Sequence, residues 1–158
     1  MTGAGQVESC LECPVGYYCP DGSVEAIECP SGTYTDVTGS TECMGCPAGT
    51  YSSETGSAEC TTCPSGTYCT EGSTEPEMCP AGTYSDVTGA TDELSCLMCP
   101  MGHYCPESGA TSATVCELGW YADIEGSTEC YECPVGYYCA DGLAPVMCAE
   151  GTYNDMTA

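Results

Sequence analysis

Eighteen cysteines, 24 carboxylates, twelve tyrosines and one histidine carry most of the reactive chemistry of this 158-residue chain. Thiols at such density can ligate a metal, cycle between dithiol and disulfide, or form permanent bridges. Five C-x-x-C pairs (Cys10/Cys13, Cys43/Cys46, Cys60/Cys63, Cys96/Cys99 and Cys130/Cys133) have the spacing of structural zinc sites. Zinc thiolates need a reducing compartment, and His103 is the single imidazole that could supplement them. A redox dithiol needs a nearby cation or helix terminus to lower a thiol pKa, and Lys and Arg number zero. Bridging is therefore the expected use of the cysteines. His103 has neither a nucleophile nor an orienting partner at a catalytic spacing, so no enzyme is expected. The carboxylates form no D-x-D-x-D-G loop with a distal Glu, which excludes an EF-hand. A charge of −24 without countercharge still demands screening, so weak calcium binding is expected, with no designed metal or cofactor site.

The cysteines are organised by a repeat. C-x-x-G-x-Y occurs nine times, starting at Cys13, Cys29, Cys46, Cys63, Cys79, Cys99, Cys116, Cys133 and Cys148, about every seventeen residues. Its tyrosines are Tyr18, Tyr34, Tyr51, Tyr68, Tyr84, Tyr104, Tyr121, Tyr138 and Tyr153. Pro follows the motif cysteine in seven cases, with Glu117 and Ala149 replacing it in the other two. The residue before the tyrosine varies: Thr in most repeats, His103, Trp120, Tyr17 and Tyr137 elsewhere. A second cysteine comes either early, directly after the tyrosine (Cys19, Cys69, Cys105, Cys139), or late (Cys10, Cys43, Cys60, Cys96, Cys130). Cys-Pro-x-Gly suits a tight turn, and the residues after it favour extended backbone. Acidic-x-x-Gly segments such as Asp36-Val37-Thr38-Gly39 and Asp86-Val87-Thr88-Gly89 read as hairpin turns. Pro or Gly interrupts every window long enough for a helix.

The fold class expected is small, disulfide-rich and all-β or loop: an elongated tandem array of about 17-residue cysteine repeats with short hairpins. Leu, Ile, Val and Phe make up only 15 of 158 residues, too few for an ordinary core. Cross-links must then hold the chain, with the motif tyrosines packing each repeat against the next. The organisation expected is 1–12 as the tail of a preceding repeat, then 13–45, 46–62, 63–98, 99–132 and 133–158. Both ends read as cut from a longer array of a secreted protein, since residues 1–8 have no signal-peptide character. Without cations the chain is unsuited to nucleic acid or to an anionic membrane surface, and no apolar run reaches membrane length. Twenty Thr and fourteen Ser offer sites for O-linked sugar, whereas Asn154, the single Asn, is in no N-glycosylation motif.

The stretches CPSGTYTDVTGSTECMGC (29–46), CPAGTYSSETGSAECTTC (46–63) and CPAGTYSDVTGATDELSCLMC (79–99) resemble the ephrin-receptor-like cysteine-rich repeat. More distantly they are similar to tumour-necrosis-factor-receptor and growth-factor-receptor modules. The resemblance implies an extracellular repeat protein, secreted or at a cell surface.

Spacing leaves two disulfide schemes open. Closing each repeat on itself pairs Cys29–Cys43, Cys46–Cys60, Cys79–Cys96 and Cys116–Cys130, with Cys13–Cys19, Cys63–Cys69, Cys99–Cys105 and Cys133–Cys139 as small loops. Cys10 and Cys148 remain open to neighbouring repeats. This scheme is preferred, although an extended segment between early cysteines would hold them about 20 Å apart. The rival crosses Cys13–Cys29 with Cys19–Cys43, a pattern resembling interlocked tumour-necrosis-factor-receptor pairs, and bridges Cys133–Cys148. In function, uniform repeats favour a structural rod — filament subunit, surface coat or adhesive stalk — partnered by itself or by other matrix and surface proteins. The alternative is a ligand-binding receptor ectodomain, which should show divergent repeats.

Overall fold

Strands here are only two residues long, each first strand directly following the motif-glycine turn and each second strand directly preceding the next motif cysteine. In the computed structural model the described residues are 10–21 and 25–154. They form eight antiparallel two-stranded hairpins, one per repeat from the first (starting at Cys13) to the eighth (starting at Cys133). These are β1 (Tyr17–Tyr18) with β2 (Ile27–Glu28), β3 (Thr33–Tyr34) with β4 (Met44–Gly45), and β5 (Thr50–Tyr51) with β6 (Thr61–Thr62). Next come β7 (Thr67–Tyr68) with β8 (Glu77–Met78) and β9 (Thr83–Tyr84) with β10 (Leu97–Met98). The last three are β11 (His103–Tyr104) with β12 (Thr114–Val115), β13 (Trp120–Tyr121) with β14 (Tyr131–Glu132), and β15 (Tyr137–Tyr138) with β16 (Val146–Met147). The fold is thus small, disulfide-rich and all-β, in tandem repeats of about seventeen residues.

Each first strand follows a Pro-x-Gly turn whose geometry the sequence dictates. In the third repeat Gly49 takes φ +86°, the left-handed region open to glycine, and the Thr50 N–H donates to the Pro47 carbonyl at 3.0 Å. The Thr50 hydroxyl donates to the same carbonyl at 2.7 Å, and Thr33, Thr67 and Thr83 do likewise at 2.7–2.8 Å. Threonine before the tyrosine is therefore a turn clamp, a role that its variable identity concealed.

The acidic-x-x-Gly segments differ from the expected hairpin turns. Nine residues, 35–43, connect β3 to β4, so no two-residue turn joins the strands. Gly39 instead donates its N–H to the Cys13 carbonyl of the preceding repeat at 2.8 Å. The segment is a link between repeats. Three backbone bonds recur at each junction from the first repeat to the seventh. The motif glycine donates to the residue after the next tyrosine, as in Gly32 to Ser52. The residue after the tyrosine donates beyond the next turn glycine, as in Thr35 to Ser57. That turn glycine donates back to the motif cysteine, as in Gly56 to Cys29. All eighteen bonds lie between 2.7 and 3.2 Å.

The turns also reach two repeats back. A Cβ built on Gly49 would lie 2.5 Å from the Gly89 carbonyl oxygen, and one on Gly82 equally near that of Gly126. Thr55 donates its hydroxyl to Glu28 at 2.6 Å across the same two-repeat step. Backbones this close leave room inside only for small side chains. The buried centre accordingly holds Cys29, Cys46, Cys63, Cys69, Cys79, Cys99 and Cys105, together with Thr35, Ser52, Ser85 and Ala122. Thr35, Ser52, Ser85 and Ala122 all directly follow a motif tyrosine, in the slot that cysteine takes in the early-type repeats. Their hydroxyls are satisfied locally, Thr35 with Ser40 and Ser52 with Ser57 at 2.6 Å.

Candidate functional site

With no compact interior, whatever the chain binds must meet its repeated surface. Two systems decide what that surface presents: the largely buried cysteine bridges that set the repeat geometry, and the hairpin faces carrying the tyrosines.

Eight disulfides join cysteines of the same repeat. Cys13–Cys19, Cys63–Cys69, Cys99–Cys105 and Cys133–Cys139 close loops of sequence separation 6. Cys29–Cys43, Cys46–Cys60 and Cys116–Cys130 have separation 14, and Cys79–Cys96 has 17. Cα–Cα separations are 5.7–6.2 Å, within the reach of a bridge. The Pro-x-Gly turn removes the 20 Å obstacle: Tyr17 N–H bonds to the Pro14 carbonyl, and Gly16 at φ +79° folds the chain back on Cys13. Cys10 is an exposed free thiol and Cys148 a half-buried one, so no bridge joins Cys133 to Cys148. The three extra residues of the fifth repeat form a 3₁₀ turn, Glu93–Ser95, inside the Cys79–Cys96 loop. Asp92 caps it, accepting from the Ser95 N–H and hydroxyl at 3.1 Å each.

The motif tyrosines lie outside the buried centre. Tyr18, Tyr34, Tyr51, Tyr68, Tyr84, Tyr104 and Tyr121 are half-buried, whereas Tyr138 and Tyr153 are exposed. All but Tyr153 sit opposite a residue of their hairpin's second strand: Tyr18 opposite Ile27, Tyr34 opposite Met44, Tyr84 opposite Leu97, Tyr138 opposite Val146. Tyr121 and Tyr131 face each other with ring centroids 6.1 Å apart and planes tilted by 49°. These pairs leave apolar groups in solvent, Met44, Leu97, Tyr131 and Val146 among them. Two hydroxyls turn to acids across the strands, Tyr17 to Glu28 at 3.3 Å and Tyr68 to Glu77 at 2.9 Å. Donation to the Glu77 carboxylate is the main cause that holds the Tyr68 phenol above its ordinary pKa, with desolvation and the nearby negative charges adding to it.

Among the described residues no three His, Cys, Asp or Glu side chains gather into a metal-binding group. His103 rests with Nδ1 3.3 Å from the Met101 carbonyl, within its own turn. No helix among the described residues is long and apolar enough to cross a membrane.

No curated protein matches the chain as a relative. The family model described as tyrosine-protein kinase ephrin type A/B receptor-like matches three overlapping segments, residues 2–42, 38–71 and 66–116. Those segments fall on the tandem hairpins and bridges, and together they cover well over half of the sequence. The chain belongs to the ephrin type A/B receptor-like family of cysteine-rich repeats.

Proposed function

We propose that this chain is a non-enzymatic structural array of the extracellular space, acting as filament subunit, surface coat or adhesive stalk. The family and the bridges support an extracellular disulfide-rich module. The observation that carries the finer reading is the recurring junction: the same three backbone bonds link every successive pair from the first repeat to the seventh. Such a design, reinforced by contacts two repeats away, transmits stiffness along the array and needs no large apolar core. Self-association or contact with other surface proteins would use the exposed tyrosine and aliphatic pairs. The −24 charge would require counterions, weakly held calcium among them, to let copies approach. O-linked sugars on the exposed Ser and Thr are part of the same reading.

Electron microscopy of the native material tests it. Filaments, a continuous coat or projecting stalks are expected. Isolated particles carrying a stoichiometric soluble ligand would transfer the assignment to a receptor ectodomain.

A further inference from the structure

Two departures from the repeat consensus fall in one repeat and face one groove. In the seventh repeat Glu117 stands where seven of the nine motifs have Pro, and Trp120 where most have Thr. The two line the same groove of about 290 Å³ at the seam of the sixth and seventh repeats. Tyr104, Thr114, Val115 and Glu129 complete its walls beside Cys130, which is bridged to Cys116. Trp120 and Tyr104 are half-buried, while Glu117 and Glu129 are exposed. An aromatic pair beside two carboxylates is complementary to a flat cation, and the chain has no Lys or Arg of its own to occupy it.

We propose that this groove is a binding site for an arginine side chain of a basic protein partner. The guanidinium stacks on the Trp120 ring and donates to Glu117 and Glu129. Arginine fits better than lysine because its planar fork can both stack on an indole and bond a carboxylate in two places. The groove formed by Thr70, Glu71, Gly72, Ser73, Thr74, Glu75 and Glu77 supplies the contrast, for it has three acids and no aromatic ring in its lining. The site is independent of whether the array serves as coat, stalk or receptor.

Calorimetric titration of the full chain with a capped tri-arginine peptide, at roughly 0.15 M salt to suppress diffuse attraction, tests the assignment. Saturable binding with a change in emission from Trp120, the sole tryptophan, is expected. Trp120→Thr installs the residue that several repeats already carry, and it should weaken binding about fivefold or more. The Glu117→Gln/Glu129→Gln pair should do the same without touching the backbone. Glu71→Gln/Glu75→Gln removes equal charge elsewhere and should leave affinity within about twofold. Absence of saturable binding, a silent Trp120, or equal losses in the two glutamine pairs would overturn the proposal. A count of free thiols above two would show that Trp120→Thr had misfolded, and the glutamine pairs would then decide alone.

Discussion

Glycines with the same backbone conformation have unequal reasons for being glycine. Gly39 and Gly49 both have positive φ, at 74° and 86°. A Cβ on Gly39 meets nothing within 4 Å, whereas one on Gly49 runs into the Gly89 carbonyl at 2.5 Å. Gly39→Ala should therefore cost only the left-handed penalty, about 1–2 kcal/mol. Gly49→Ala should cost more, since the obstacle is backbone and separating it pulls apart the third and fifth repeats. Urea midpoints of the two variants check the order. Tyr68 gives a second test at this scale. Its folded pKa is raised, so the bond to Glu77 stabilises the fold below the unfolded value of about 10, and that contribution is lost as pH rises through the higher folded value. In tyrosinate absorbance titrations, Glu77→Gln should shift one late-ionising phenol to lower pH. No such shift would show that the hydrogen bond does not govern it.

At the scale of the element, the unit is a hairpin closed by a bridge whose loop is either short or long, with separation 6 or with 14 to 17. Chain entropy assigns about 3 kcal/mol to a bridge such as Cys46–Cys60 and about 2.4 kcal/mol to one such as Cys63–Cys69. Burial acts the other way, because Cys63 and Cys69 are both fully buried. Replacing Cys63 and Cys69 by Ala should thus cost at least as much as replacing Cys46 and Cys60, despite the shorter loop. Denaturant unfolding of the two double variants measures this, and a clearly milder loss for the small loop would show that entropy dominates. The residue after the tyrosine explains how the two classes coexist. Ser52 and Ser85 fill the position of Cys69 and Cys105, so the centre keeps its shape whether or not a bridge passes through it.

Across the whole molecule, the inter-repeat bonds among the described residues join neighbours and next neighbours. Its accessible surface is 10151 Å² for 16.3 kDa, against about 7,500 Å² for a compact monomer of that mass. Small-angle scattering should give a radius of gyration above the roughly 15 Å of a compact domain of this length. Charge adds a second expectation. Raising salt from about 0.01 to about 0.15 M shortens the screening length from about 30 to about 8 Å. The thermal midpoint should therefore rise as self-repulsion of 24 carboxylates is damped. Under denaturing, non-reducing conditions, thiol titration should find two free cysteines, Cys10 and Cys148.

Spacing was enough to read the repeat and the lack of any α-helix among the described residues, because Cys, Pro and Gly impose local constraints that need no distant partner. The family followed from the resemblance of whole motif stretches such as residues 29–46. The same local constraints made Cys29–Cys43 and its equivalents the simplest pairing to draw. The destination of each turn was not legible. Asp36-Val37-Thr38-Gly39 has the composition of a hairpin turn, and only the neighbouring repeat reveals Gly39 as a link to Cys13. Nor could the sequence show that the motif tyrosines are at most half-buried while Thr35, Ser52, Ser85 and Ala122 are buried. Hydrophobic size predicts burial only where a core has room for it. Here each motif glycine from the first repeat to the sixth meets the turn two repeats further on, and that approach of backbone to backbone, a tertiary property, admits small residues alone.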